Sequence, residues 1–139
     1  MWAGRRGAEQ VVTRKHLVVA IALFVGLLHF VTGPGYDGPA RAFVNGYLID
    51  LLLPFAMYLL LGLPDRPFRM SRTVRACVVL AVGAGVEVLQ YFGVPIFGRT
   101  FDPADLVMYA LGVTAGVVLE ATVLSRLERG RAPGARPTA

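Results

Sequence analysis

The sequence is short of most of what a water-soluble domain needs. Charged residues make up 17% of its 139 residues, against roughly 25% in an ordinary soluble domain. A polar skin of the usual extent is therefore missing, which argues against a soluble globular enzyme and against a disordered chain. Cysteine occurs once, as Cys77, so no internal disulfide framework is available. Lysine also occurs once, as Lys15, beside 13 arginines. There is no G-x-S-x-G and no H-E-x-x-H, nor an evident Cys–His pairing, so nucleophilic or zinc-protease chemistry has no motif behind it. No internal repeat and no separate soluble segment stands out.

What the chain does have is long apolar runs. Hydrophobic residues reach 55%, and the mean hydropathy is +0.60. Four runs approach the length needed to cross a hydrocarbon core about 30 Å thick, which takes about 20 residues with a range of ~17–25. They cover about 17–32, 43–63, 74–92 and 104–124. In lipid the backbone must satisfy its own hydrogen bonds, so continuous apolar runs without strand-like alternation predict helices. The predicted fold is all-α: a polytopic membrane protein of four transmembrane helices in a bundle. It forms one domain over residues 1–127, followed by a disordered cytoplasmic tail over 128–139 that is rich in Arg, Gly, Pro and Ala. Gly33 to Pro39 and Pro64-Asp65-Arg66-Pro67 read as loops.

The formal charge of +5 sits mostly in three segments: Arg5, Arg6, Arg14 and Lys15; Arg66, Arg69, Arg72 and Arg75; and Arg126, Arg129, Arg131 and Arg136. With four spans these segments share one side, leaving only Arg41 and Arg99 on the other. The positive-inside rule then places both termini in the cytoplasm of a cell membrane. The charge reads as a topology signal reinforced by anionic lipid, and nucleic acid is not an expected partner. A cleaved leader ending at Ala40-Arg41-Ala42 is the rival reading of the N-terminus. That site lies roughly nine residues beyond an apolar stretch already long for a leader.

On this topology the remaining polar residues collect near the outer face. They are His29, Asp50, Glu87, Gln90, Arg99, Asp102 and Asp105. An ionisable group at mid-bilayer costs about 2.5–3.5 kcal/mol on insertion scales, so such groups face the bundle interior or a wet cavity. Most also have a structural reading, His29 as a residue at the membrane interface near a helix end. Pro54 leaves the carbonyl of residue 50 without its helical partner, which favours polar company near Asp50. Glu87 and Gln90 are three apart and share a face with Gly83, where they would serve as interhelical glue. Asp102 suits a helix N-cap, Pro103 the first helical position, and Asp105 the positive end of the dipole. Asp105, Tyr109, Gly112 and Gly116 share one face of the fourth span, and the GxxxG spacing permits close helix contact. Glu120, beside the basic tail, reads as an interfacial charge.

The run Glu87-Val-Leu-Gln90, then Arg99, then Asp102-Pro-Ala-Asp105, then Gly112 and Gly116 resembles the signature of VanZ-like membrane proteins. The resemblance covers about residues 83–120 and extends loosely to Asp50 and Tyr58. It departs at Tyr109, where members usually carry Asn, and at Pro54, where they often carry His. These losses weaken any mechanism that needs an amide or an imidazole there. The resemblance implies a bacterial membrane protein of the cell envelope, linked to glycopeptide antibiotic response, and it implies no particular reaction.

The resulting expectation is a binding site made of Asp50, Glu87, Gln90, Arg99, Asp102, Asp105 and Tyr109, with Gly83, Gly112 and Gly116 packing the helices. Its ligand would be a membrane lipid headgroup, a lipid-linked cell-wall precursor or a glycopeptide. Arg99 would hold phosphate or carboxylate through its fork. The alternative is a membrane-embedded enzyme using Glu87, Asp102 and Asp105 as acid–base groups or metal ligands. A proton-coupled exporter and a structural subunit, homo-oligomeric or bound to another membrane protein, are the lesser readings. No cofactor is specified.

Overall fold

A computed structural model describes residues 3–32, 35–64, 67–94 and 102–126, with side chains from residue 14 onward. The expected tail over 128–139, Arg66 and Arg99 lie outside these residues. Every regular element among the described residues is helical: α1 (Ala3–Val31), α2 (Arg41–Gly46), α3 (Leu48–Leu60), α4 (Arg72–Tyr91) and α5 (Pro103–Leu119), which continues into a π-helical turn over Glu120–Leu124.

Among the described residues three helical stretches are long and apolar enough to cross a membrane: Arg14–Val31, Arg72–Tyr91 and Pro103–Leu124. The helix α1 begins well before its apolar part. Once the apolar segment is helical, the propagating helix extends back at low cost through good helix formers such as Ala8, Glu9 and Gln10. The apolar run expected over 43–63 is not one helix. Tyr47, at φ −127° and ψ −17°, separates α2 from α3 directly after Gly46, a weak helix former. The chain then runs helically through Pro54.

Caps account for the sharp starts of α4 and α5. The Ser71 Oγ accepts the Val74 N–H at 3.2 Å, and the Asp102 Oδ1 accepts the Ala104 N–H at 2.9 Å. Pro103 fills the first position of α5, where its missing N–H costs nothing.

Contacts between named positions give the packing directions. Leu51 meets Gly112 and Tyr58 meets Gly116, so α3 and α5 run side by side in the same direction. Gly83 meets Tyr109 while Arg75 reaches Glu120, so α4 runs antiparallel to α5. Arg14 also reaches Glu120, which sets the start of the apolar part of α1 beside the end of α5. At Gly112 a side chain would run into the carbonyl oxygen of Leu51, so only glycine permits this approach of two backbones.

The buried core joins Val18 of α1, Tyr58 and Leu59 of α3, Val79 of α4, and Val113 and Leu124 beyond. Outside it α1 carries an apolar surface: Leu23, Phe24, Leu27 and Phe30 are all exposed, Phe30 at 87%. A water-soluble fold of this size would not leave such a continuous apolar surface uncovered, whereas lipid covers it at no cost.

Candidate functional site

The packing gathers polar groups at two levels of the bundle, near the two ends of α5. From Asp105 to Glu120 the helix rises about 22 Å at 1.5 Å per residue.

At the first level Glu87 is the centre. It is 1% exposed. The Tyr109 hydroxyl donates to its Oε1 at 3.0 Å, and the Asp102 backbone N–H donates to its Oε2 at 3.3 Å. The N-terminal end of α5 thus supplies a donor to a carboxylate on α4, the arrangement that the free N–H groups and the dipole of a helix start favour. Tyr109 reaches across because its ring lies on Gly83, where a Cβ would come within 2.6 Å of Cδ2. Small residue and ring are therefore one unit, which the sequence offers only as two separate positions.

Asp50, on α3, comes close enough for its charge to interact with those of Glu87 and Asp102, and Asp105 interacts with all three. The Tyr47 hydroxyl donates to Asp102 Oδ2 at 3.4 Å, bringing the break between α2 and α3 against the start of α5. Gln90 is buried one turn beyond Glu87. Of the residues expected to form a site, Asp50, Glu87, Asp102, Asp105 and Tyr109 are therefore neighbours, and Gln90 lies on the adjoining turn. Gly83, Gly112 and Gly116 each lie at a helix contact. Arg99 falls outside the described residues. His29 is exposed.

The chemistry of this level is that of acceptors. Four carboxylates lie close enough for their charges to interact, and among the described residues no ion pair reaches any of them. The same residues contain no group of three or more His, Cys, Asp or Glu arranged to hold a metal ion. The arrangement suits a group that brings hydrogen-bond donors or positive charge.

The second level differs from expectation. Glu120 is not an exposed charge beside the basic tail: it is 4% exposed and lies inside a ring of basic and phenolic groups. The Arg75 Nη2 donates to Oε1 at 2.9 Å and to Oε2 at 2.8 Å, the Tyr58 hydroxyl to Oε2 at 2.6 Å, and the Arg14 Nη2 to Oε1 at 3.3 Å. Arg72 approaches Oε2 at 3.5 Å through Nε. The Arg75 guanidinium also lies over the Tyr58 ring, 4.6 Å from its centroid, a cation–π contact. Gly62, just past α3, leaves room for this head, since a Cβ there would collide with Arg75 Nη1.

One carboxylate thereby joins α1, α3, α4 and α5. The reason is energetic: a carboxylate buried in lipid-facing protein is tolerable only when paired and hydrogen-bonded. A signal for it was present in the sequence. Asp105, Tyr109, Gly112 and Gly116 share a face at spacings of four, three and four, and one further step of four reaches Glu120. Its partner Arg75 was hidden, because an arginine at the start of an apolar run looks the same as one that only marks topology.

Compared with protein-family models, curated proteins and solved structures, the chain matches none.

Proposed function

We propose that this chain is a four-span, VanZ-like protein of a bacterial cell membrane, with both termini cytoplasmic, whose acidic level binds the headgroup of a lipid or lipid-linked envelope precursor. The observation that carries the reading is Glu87. It is a carboxylate 1% exposed on an apolar helix, with Asp50, Asp102 and Asp105 around it and no described cation paired to any of them. A carboxylate on an apolar helix costs about 2.5–3.5 kcal/mol at mid-bilayer, and Glu120 illustrates how a structural carboxylate meets that cost with three donors. The Glu87 group has acceptor capacity left over, and sugar hydroxyls, amides or an ammonium headgroup supply the complementary donors.

Support for a fourth span comes from α3. At 13 residues it is about 20 Å long at 1.5 Å per residue, yet its Asp50 meets the acidic level and its Tyr58 the basic one. With α2 it makes a broken apolar crossing. Interrupted helices in membrane proteins are tolerated where protein or a wet cavity surrounds the break, and they commonly border binding sites. A role in the cell envelope or in glycopeptide response is what the resemblance to VanZ-like proteins around Glu87, Asp102 and Asp105 implies.

The test is retention of a lipid-linked disaccharide-peptide precursor by the purified protein, compared with the bare polyprenyl phosphate carrier. Wild type should retain the precursor preferentially, and Glu87→Gln with Asp105→Asn should lose that preference at equal membrane abundance and helix content. Equal retention of precursor and carrier by wild type sinks the proposal, as does full retention by the double variant.

A further inference from the structure

We propose that the arginine-rich level around Glu120 binds the phosphate group of an anionic phospholipid, with Arg72 at its rim and Arg75 beneath. The shared chemistry is a phosphate accepting from guanidinium forks, and the lipid is the source the surroundings favour.

The first observation is charge. Arg72 and Arg75 both lie on Glu120, at 3.5 and 2.8 Å, so two guanidiniums share one carboxylate, and Arg14 adds a further contact at 3.3 Å. Arg72 and Arg75 by themselves leave one positive charge in excess. They also occupy the first turn of α4, where the helix dipole is positive and repels them. An anion is favoured here by both terms.

The second observation is independent of net charge. Arg75 is 3% exposed, and its Nε and Nη1 have no hydrogen-bond partner among the described residues. Glu120 engages only Nη2. Buried donors left unmade are unfavourable, and a charged acceptor with several oxygens is the group best able to relieve them.

The third observation is depth. Arg14 opens the apolar stretch of α1, Arg72 opens that of α4, and Leu124 closes that of α5. The three ends meet at Glu120, so the basic level lies where apolar surface gives way to headgroups. The Arg72 side chain remains 54% exposed, facing outward at that boundary. Within four residues of it along the chain, Phe68, Met70 and Val74 are exposed apolar groups, at 77%, 39% and 49%. Acyl and glycerol carbons gain from those neighbours, and a free phosphate ion does not.

This inference does not rest on the acidic level. Its test uses the full chain in nanodiscs or detergent with phosphatidylglycerol and phosphatidylcholine supplied at equal amounts, read by native mass spectrometry and by the thermal midpoint of helicity. Wild type should retain phosphatidylglycerol over phosphatidylcholine, and phosphatidylglycerol should raise its midpoint. Arg72→Gln should lower the preference about tenfold or more, the loss expected of a charge-assisted hydrogen bond to the phosphate. It should also abolish the rise in midpoint. Arg69→Gln, which removes an exposed charge three residues earlier, should lower the preference by no more than about fivefold, the general effect of one basic residue near an anionic surface, and should leave the rise in midpoint intact. No lipid preference in wild type, or equal losses in the two variants, would overturn the site. Displacement of phosphatidylglycerol by millimolar inorganic phosphate would overturn the lipid assignment in favour of free phosphate.

Discussion

Substituting Gly112 by alanine tests the helix packing at its tightest point. The added methyl would meet the carbonyl oxygen of Leu51 at well under van der Waals distance and the Phe55 nitrogen at 3.3 Å. Both atoms are backbone of α3, so no side-chain rotation relieves the clash and the helix itself has to move away. A gap of roughly 0.5–1 Å forfeits a quarter to a half of the dispersion well of every atom pair it separates. Overpacking of this kind typically costs about 1–3 kcal/mol, and a backbone obstacle belongs at the upper end. Alanine recovers about 0.8–1.0 kcal/mol of helix propensity over glycine. The expected net loss is therefore about 2 kcal/mol. Gly85 on α4 is the control, because a methyl there meets nothing within 4 Å. Gly85→Ala keeps the propensity gain of up to about 1 kcal/mol, so the two variants should differ by about 3 kcal/mol. Titration with sodium dodecyl sulfate in mixed micelles, followed by far-ultraviolet circular dichroism, measures both. Equal stability of the two variants would refute the contact between α3 and α5 at Leu51.

Other consequences are specific to single groups. Glu120→Ala leaves the buried Arg75 without its counterion and should cost about 3–5 kcal/mol in the same titration. A loss below 1 kcal/mol would mean that Arg75 escapes to solvent. Tyr58→Phe keeps the ring beneath Arg75 but removes the 2.6 Å hydrogen bond to Glu120, for an expected loss of about 1.5–3 kcal/mol. Gly83→Ala presses on the Tyr109 ring, a side chain able to tilt, so its cost should fall below that of Gly112→Ala. The tilt draws the hydroxyl from Glu87, and an infrared shift of the Glu87 carboxyl band, assigned with Glu87→Gln, would report it.

Much of the architecture was legible because it is local. Helical character, the apolar stretches on α1, α4 and α5, the Asp102–Pro103 helix start and the close-packing role of Gly112 follow from residue type and spacing alone. The second apolar run was harder. Its apolar run continues across 43–63, whereas the break at Tyr47 follows Gly46 and sets the Tyr47 hydroxyl on Asp102, a residue 55 positions away. The acidic level was half legible: composition marked Asp50, Glu87, Asp102 and Asp105 as unusual, while the role of Tyr109 as donor to Glu87 needed the Gly83 contact to exist.

The amino-acid sequence by itself determined that the chain is helical, apolar on its outside and polar only in places, because those properties are sums over neighbouring residues. Which polar residues meet was decided by tertiary structure alone. Glu120 is 45 positions from Arg75, 62 from Tyr58 and 106 from Arg14. Helical spacing sets Glu120 on the face of Gly112 and Gly116, but nothing local names the groups that meet it there. The antiparallel packing of α4 on α5, and the glycines that let α3 approach, convert it into the buried junction of four helices.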